Sequence, residues 1–260
     1  MRADAYLFFA GYTESRKKAQ DLIAADAVEI DGVRIKKSAA PINENVEHSV
    51  KIEPIFRYVS RGGMKLEAAL DAFRISVNHK KAVDVGASTG GFTDCLLKRG
   101  AAHVIAVDAG IGQLHSSLRA DSRVTVIERF NARDLNTEIT NGLCDVAVAD
   151  VSFISQTYII PPIASVLREG GCFVSLVKPQ FEAGRSALGK NGVVHNAAYR
   201  FLAAKRVVEC AFSHGFDCVG LIPSPIEGGD GNKEYLAYFV KRNCLKPAVD
   251  DKMIKYVTAR

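Results

Sequence analysis

Apolar and polar positions follow two different rhythms along this chain, and the change falls near residue 60. Before it, the apolar positions of "ADAYLFFAGY" and "ESRKKAQDLIAADA" predict two short helices, with Ser15 placed to cap the second. "AVEIDGVRIK" then alternates over two runs joined by Asp31-Gly32, a pair suited to a hairpin turn, and a third short strand, "HSVKIE", follows. After residue 60, β-prone runs alternate with helical stretches such as Ala197–His214. Strands are predicted at Ala82–Val85, His103–Asp108, Val124–Glu128, Asp145–Ala149, Cys172–Val177, Cys218–Pro223 and Glu234–Val240.

Such alternation predicts an α/β fold with an open, mostly parallel sheet wound on both faces. No helix separates the last two runs, only "SPIEGGDGNK", so they are expected to pair as a hairpin with an antiparallel strand at the edge. That arrangement is typical of S-adenosylmethionine-dependent methyltransferases. Pro54 and the pair Gly62-Gly63 punctuate the change of rhythm. The expected organisation is a small α+β domain over residues 1–58, a Rossmann-like seven-stranded domain over 59–243 and a C-terminal tail over 244–260.

Composition narrows this only a little. With 48% hydrophobic residues among 260, a sizeable core is expected. The six cysteines are scattered with no C-x-x-C pair, which suits free thiols in a reducing cytoplasm and gives no reason to expect a metal. No apolar run is long enough for a membrane span, and "MRADAYLFFAGYTESR" lacks a signal-peptide core. A net charge of +5 permits a polyanionic partner without requiring one.

The chemistry starts at "DVGASTGG", Asp84 to Gly91, which reads as strand, glycine turn, helix. The dinucleotide fingerprint G-x-G-x-x-G is absent, and no Lys-Ser or Lys-Thr follows the glycines as in a phosphate loop. S-adenosylmethionine carries an ammonium and a sulfonium but no phosphate. An acid at the strand end, Asp84, suits the ammonium, and Gly86 and Gly90 let backbone approach a ligand. Asp108 closes the next strand, where a carboxylate can accept both ribose hydroxyls. Asp134, in "NARDL", is a candidate for the adenine amino group or for a helix cap.

Two lysines and two acids are candidates to meet at the same sheet edge: Lys65, Asp150, Lys178 and Glu234. A ribose 2′-hydroxyl is a weak nucleophile that must lose its proton as a methyl group arrives, and a buried lysine can assist. Asp150 is placed to orient Lys178 and to sit near the sulfonium. Adenine N6 methylation would favour an Asn/Asp-Pro-Pro-aromatic motif where this chain has Asp150-Val151-Ser152-Phe153, and no Pro-Cys supplies a nucleophile for cytosine C5.

On "YVSRGGMKLEAAL", "DVGASTGGFTDCLL", "VADVSFIS", "LVKPQFE" and "GNKEYL", the chain resembles the FtsJ-like ribose 2′-O-methyltransferases and, over almost its whole length, the hemolysin-labelled TlyA family of rRNA 2′-O-methyltransferases. The resemblance implies that Lys65, Asp150, Lys178 and Glu234 form a catalytic tetrad. It also implies that Asp84, Gly86, Ser88, Gly90, Gly91, Asp108, Asp134 and Asp150 serve S-adenosyl-L-methionine. Residues Arg2, Asp4, Leu7, Gly11, Ser15, Arg16, Ala19, Leu22 and Ile23, with "VEIDGVRIKK", resemble an S4-type RNA-binding domain, although Ala3 stands where leucine is usual. Arg2, Arg16, Lys17, Lys18, Arg34, Lys36 and Lys37 are then candidates for phosphate contacts, with Arg57 and Arg61 extending the track. Residues 1–60 nevertheless hold nine basic and nine acidic side chains, so binding would need charge segregated on one face. The expected partner is ribosomal RNA or a ribosomal subunit, the expected target a cytidine. The rival readings are a non-catalytic RNA-binding or assembly factor and a membrane-acting hemolysin.

Overall fold

The computed structural model describes residues 1–24, 26–52, 57–189, 191–228, 231–242 and 248–259. They form two compact units, Met1–Arg57 and Tyr58–Arg260.

In the first unit, helices α1 (Ala3–Phe9) and α2 (Arg16–Ala24) accompany a three-stranded antiparallel sheet. Its strands are β1 (Val28–Ile30), β2 (Val33–Arg34) and β3 (Val50–Ile52), with β1 in the centre. Asp31 and Gly32 both take positive φ, 51° and 77°, as a tight hairpin turn between twisted strands requires. Ser15 Oγ accepts the Lys18 N–H at 3.1 Å and caps α2. Ala3, Leu7, Leu22, Ile23, Val28 and Ile30 fill the core, Ala3 completely buried in spite of its small size.

His48 staples this unit. Its Nδ1 is 2.5 Å from Asp31 Oδ2 and its Nε2 is 2.8 Å from the Asn43 carbonyl, so both ring nitrogens face acceptors and the imidazolium is favoured. The hydrogen bond to Asp31, then that to Asn43, raises the His48 pKa above its ordinary 6.5. A raised folded-state value means a contribution that is complete below the unfolded pKa and is lost as pH rises through the folded one. An NMR titration of His48 in the whole chain should therefore show its midpoint above the ordinary value, and moved down toward it in Asp31→Asn, where only the Asn43 bond remains.

The second unit holds strands β4 (Lys81–Val85), β5 (His103–Val107), β6 (Val124–Ile127), β7 (Cys144–Ala149), β8 (Leu167–Val177), β9 (Phe216–Pro223) and β10 (Tyr235–Lys241). Their order is β6-β5-β4-β7-β8-β10-β9. Helices α3 (Gly62–Ala72), α4 (Gly91–Lys98), α5 (Ser116–Arg119), α6 (Ile160–Val166), α7 (Pro179–Glu182), α8 (Ala197–Ser213) and α9 (Asp251–Ala259) surround it. Alternate strand residues serve opposite layers. Val83 and Val85 pack with Ile160, Ile163 and Ala204 in one cluster, while Ala82, Leu66, Leu96 and Leu118 pack in the other.

Three expectations need correction. β10 does pair antiparallel with β9, but it is an inner strand inserted between β8 and β9, and β9 takes the edge. Its run "YLAYFV" is apolar on both faces, which suits an interior position. β8 starts at Leu167 rather than Cys172, because the polar "REGG" also runs extended. Residues 248–259 of the expected tail carry α9, which packs on α8 and β9 and buries Val249, Ile254 and Val257 in the main core. Cys244 lies outside the described residues.

Candidate active site

The parallel strands β4, β5, β7 and β8 end at one edge of the sheet, and antiparallel β10 begins there. After β4 the chain turns through Gly86 (φ 82°), Ser88 (φ 47°) and Gly90 (φ 94°) into α4. The N–H groups of Gly86 and Ala87 both donate to the Val107 carbonyl, at 2.8 and 3.1 Å, which fastens the turn to β5. A Cβ on Gly86 would lie 2.7 Å from the Asp150 carbonyl oxygen, so β4 and β7 approach as closely here as glycine allows.

A cavity of about 710 Å³ opens beside this turn. Gly86, Ser88, Asp108, Gln113, Asn131, Asp150, Ser152 and Phe153 are among its lining residues. Asp108 stands at the end of β5, its carboxylate accepting N–H groups of Ser88 and Gly110, each at 2.7 Å. Each oxygen keeps a further lone pair, as recognition of a ribose diol requires.

The other expected cofactor residues are set further back. Asp84 is completely buried and is not part of the cavity wall. It accepts the Thr93 hydroxyl at 2.7 Å on Oδ2, while Oδ1 has no hydrogen-bond partner among the described residues. Burial, reinforced by the charges of Asp150 and Asp108, pushes its pKa up to about 7. Gly90 and Gly91 serve packing: a Cβ on Gly90 would lie 2.3 Å from Leu118 Cδ1, and one on Gly91 would lie 2.2 Å from Ser60 Oγ. Asp134 is exposed in a short 3-10 turn outside the cavity wall. The cap of that turn is Asn131, whose side chain accepts the Arg133 N–H at 3.1 Å.

The four candidate catalytic side chains form two ion pairs. Lys65 Nζ, from α3, donates to Glu234 Oε2 at 2.5 Å, and both residues are buried. Lys178 Nζ lies 2.6 Å from Asp150 Oδ1, off the direction of a well-formed hydrogen bond, and donates to Ser152 Oγ at 2.9 Å. Tyr235 pairs with Val177 across the β10–β8 ladder, so Glu234 and Lys178 are neighbours just beyond it. Asp150 and Ser152 carry the second pair to the cavity wall.

This geometry can be set beside known proteins. The FtsJ-like methyltransferase family model matches residues 58–241, and the S4 domain model matches residues 1–48. The chain belongs to the FtsJ-like methyltransferase family. It is 46% identical to "Hemolysin A" of Brachyspira hyodysenteriae, over 92% of this chain and 100% of the relative. It is 44% identical to the "16S/23S rRNA (cytidine-2'-O)-methyltransferase TlyA" of Mycobacterium tuberculosis, over 91% of this chain and 88% of that one. A hemolysin-named structure from Streptococcus thermophilus superposes with a TM-score of 0.80 at 42% identity, covering 100% of this chain and 94% of its own.

S-adenosyl-L-methionine is the methyl donor of this family, and the FtsJ-like unit fits it. Asp108 presents its carboxylate to the cavity, Asn131 and Ala132 line the side beyond β6, and Gly86 leaves the backbone bare beside Asp150. Among the described residues there is no cluster that could hold a metal ion, and no helix is long and apolar enough to cross a membrane.

Sequence reasoning missed several parts of the FtsJ-like site. Phe153 is 92% exposed with φ 64°, at the cavity mouth, and its ring centroid is 5.2 Å from that of Phe181. Glu182, buried, accepts from Ser155 Oγ and from the Gln156 N–H, fixing the loop that presents Ser152 and Phe153. The stretch after Lys178 contains α7 and a 3-10 turn. Asn232 grips its far end, accepting the Val194 N–H at 3.0 Å and donating to the Gly192 carbonyl at 3.1 Å, while Lys190 lies outside the described residues. At the start of the FtsJ-like unit, Tyr58 is buried and the Val59 N–H donates to Asp94 Oδ2 at 2.8 Å.

In the S4 unit, Arg2 and Arg16 converge on one buried acid. Asp4 accepts from Arg2 Nε at 3.0 Å, Arg16 Nη2 at 3.2 Å and Gln20 Nε2 at 2.7 Å. The Arg2 contact, chiefly, holds the Asp4 carboxyl far below its usual range, while both guanidinium groups stay about half exposed. Lys17, Lys36, Lys37 and Arg57 are exposed, and Lys18 and Arg34 half-buried. Arg61 stands at the N-cap of α3 in the other unit.

Proposed function

We propose that this chain transfers a methyl group from S-adenosyl-L-methionine to the 2′-oxygen of a cytidine ribose in ribosomal RNA, in the cytoplasm, with the S4 unit docking the RNA. The observation that carries this reading is the Lys178–Asp150 pair, whose Asp150 lines the cavity, beside the Lys65–Glu234 pair. When bound, the cofactor supplies an electrophilic methyl on a sulfonium. With its amine unprotonated, Lys178 Nζ orients the 2′-hydroxyl and takes its proton as the new C–O bond forms and the methyl–sulfur bond breaks, leaving a neutral thioether, and the Asp150 carboxylate balances the ammonium charge that results. Lys65, held by Glu234, fixes the approach of the oxygen, since the displacement depends chiefly on alignment. Two curated relatives support the substrate: the Mycobacterium tuberculosis and Campylobacter jejuni proteins are named as rRNA cytidine 2′-O-methyltransferases.

The test is transfer of labelled methyl to separated ribosomal subunits and to naked rRNA from an unmodified strain. Label that maps to a 2′-O-methylated nucleotide in one of these RNAs supports the reading. Cofactor binding without label in any of them favours an RNA-binding or assembly factor.

Phe153 gives a second check. A large aromatic ring exposed on a left-handed backbone is held there against both solvation and conformational preference. A base swung out of its stack to present its ribose would find a partner in that ring. Base–aromatic stacking contributes about 1–3 kcal/mol, so Phe153→Ala should lower kcat/KM for RNA by about tenfold or more. Cofactor affinity, measured by calorimetry, should be unchanged.

A further inference from the structure

Arg200 lies on α8, remote in sequence from each catalytic residue, yet it is one of the few buried cations among the described residues. Its Nε donates to Tyr235 Oη at 3.1 Å and to the Thr258 carbonyl at 3.0 Å. Its Nη1 donates to the carbonyls of His195 at 2.6 Å and Val194 at 3.4 Å. None of these four acceptors is a carboxylate. Desolvating a guanidinium against neutral oxygens is costly, and an apolar side chain would fill the space at lower cost if packing were its only task.

The acceptors belong to three separate pieces of the site. Tyr235 follows the catalytic Glu234 at the start of β10. Val194 and His195 end the stretch that begins at Lys178, and Asn232 grips that same stretch from the other side. Thr258 is in the last turn of α9, where carbonyls lack helical partners and carry the negative end of the dipole.

We infer that Arg200 is a positioning residue for methyl transfer, locking the C-terminal helix and the 192–195 segment to the strand end that presents Glu234. This rests on the catalytic reading above. Glu234 has little freedom within that block. A Cβ on Gly228 would lie only 2.6 Å from its Oε1, and its other oxygen holds Lys65. A small shift of β10 is therefore transmitted to the Lys65 ammonium. The C-terminal helix, which starts 17 positions after Glu234, thereby acts on the site through Arg200 without lining the cavity.

The experiment compares the unaltered full chain with Arg200→Lys and Tyr235→Phe, on the rRNA substrate with saturating S-adenosylmethionine. Lysine keeps the charge but cannot reach all four oxygens, and phenylalanine keeps the ring but removes the side-chain acceptor. The expected result is a kcat about tenfold lower in Arg200→Lys and lower in the same direction in Tyr235→Phe. KM for RNA and the calorimetric cofactor Kd should stay within about twofold in both, since this misalignment is felt only at the reacting atoms. Unchanged kcat in both variants, however far their thermal midpoints fall, would overturn the inference and leave Arg200 a purely structural residue. A parallel loss of kcat, KM and cofactor Kd would overturn it too. No transfer by the unaltered chain would overturn the catalytic reading itself, and this inference with it.

Discussion

Lys178→Ala is expected to lower methyl transfer by about a hundredfold to ten-thousandfold, the range for removal of a positioned proton acceptor, while cofactor binding and thermal midpoint change little. The geometry separates these effects. Lys178 reaches the cavity through Ser152 and Asp150, and its ammonium is within reach of both. The parts expected to hold the cofactor, Asp108 and the Gly86 turn, have hydrogen bonds that do not involve it. Truncation leaves Asp150 partly solvated rather than stranded in a dry interior, so folding survives. Lys178→Arg should be about as inactive, because guanidinium keeps its proton at any pH the protein tolerates. Single-turnover transfer, with Kd measured in parallel, checks both variants. An active Lys178→Arg would point to charge alone as the requirement and would remove the proton-acceptor role.

Gly86→Ala is expected to damage cofactor binding and catalysis together. The φ of 82° at this position costs a residue with a Cβ about 1–2 kcal/mol. The added carbon would also lie 2.7 Å from the Asp150 carbonyl, and backbone cannot yield as a flexible side chain would. Relief requires β7 to move at its carboxyl end, where Asp150 holds Lys178 and faces the cavity. Cofactor affinity should fall by at least about tenfold, and kcat with saturating cofactor by a similar factor. Gly90→Ala makes the contrast. Its Cβ meets the Leu118 and Leu114 side chains, so its cost should appear in the thermal midpoint before the cofactor Kd. Equal Kd and kcat in Gly86→Ala and the unaltered chain would contradict the placement of the cofactor beside this turn.

What could be read from sequence was whatever depends on residue type at a strand end. Asp108, Asp150, Lys178 and Glu234 all flank apolar β-prone runs, and strand ends in such a sheet open on one crevice, so their shared edge was legible. Their pairing was not. Nothing in the spacing joins Lys65 to Glu234, 169 residues apart, because that contact is set by α3 packing beside β10. Depth was equally hidden. Asp84 and Asp108 look alike as strand-end acids, yet one is sealed behind Thr93 and the other faces the cavity. Asp134 and Asn131 are both good capping residues three positions apart, and only the turn geometry decides that Asn131 caps and lines the wall. Phe153 in "VSFIS" reads as ordinary core, and its positive φ, which turns the ring outward, has no signature in a residue type that disfavours it. The inner place of β10 and the docking of α9 are long-range choices. Local pattern predicts that these elements exist but not what they lie against.

The central claim is that the methyl group goes to a ribose oxygen and not to a base. The most direct measurement is mass spectrometry of nucleosides from rRNA of an unmodified strain, digested after incubation with this protein and isotopically labelled S-adenosylmethionine. The account predicts that the labelled methyl is recovered as 2′-O-methylcytidine. Label on a base, or cofactor bound by the protein with no label in any RNA, would contradict it.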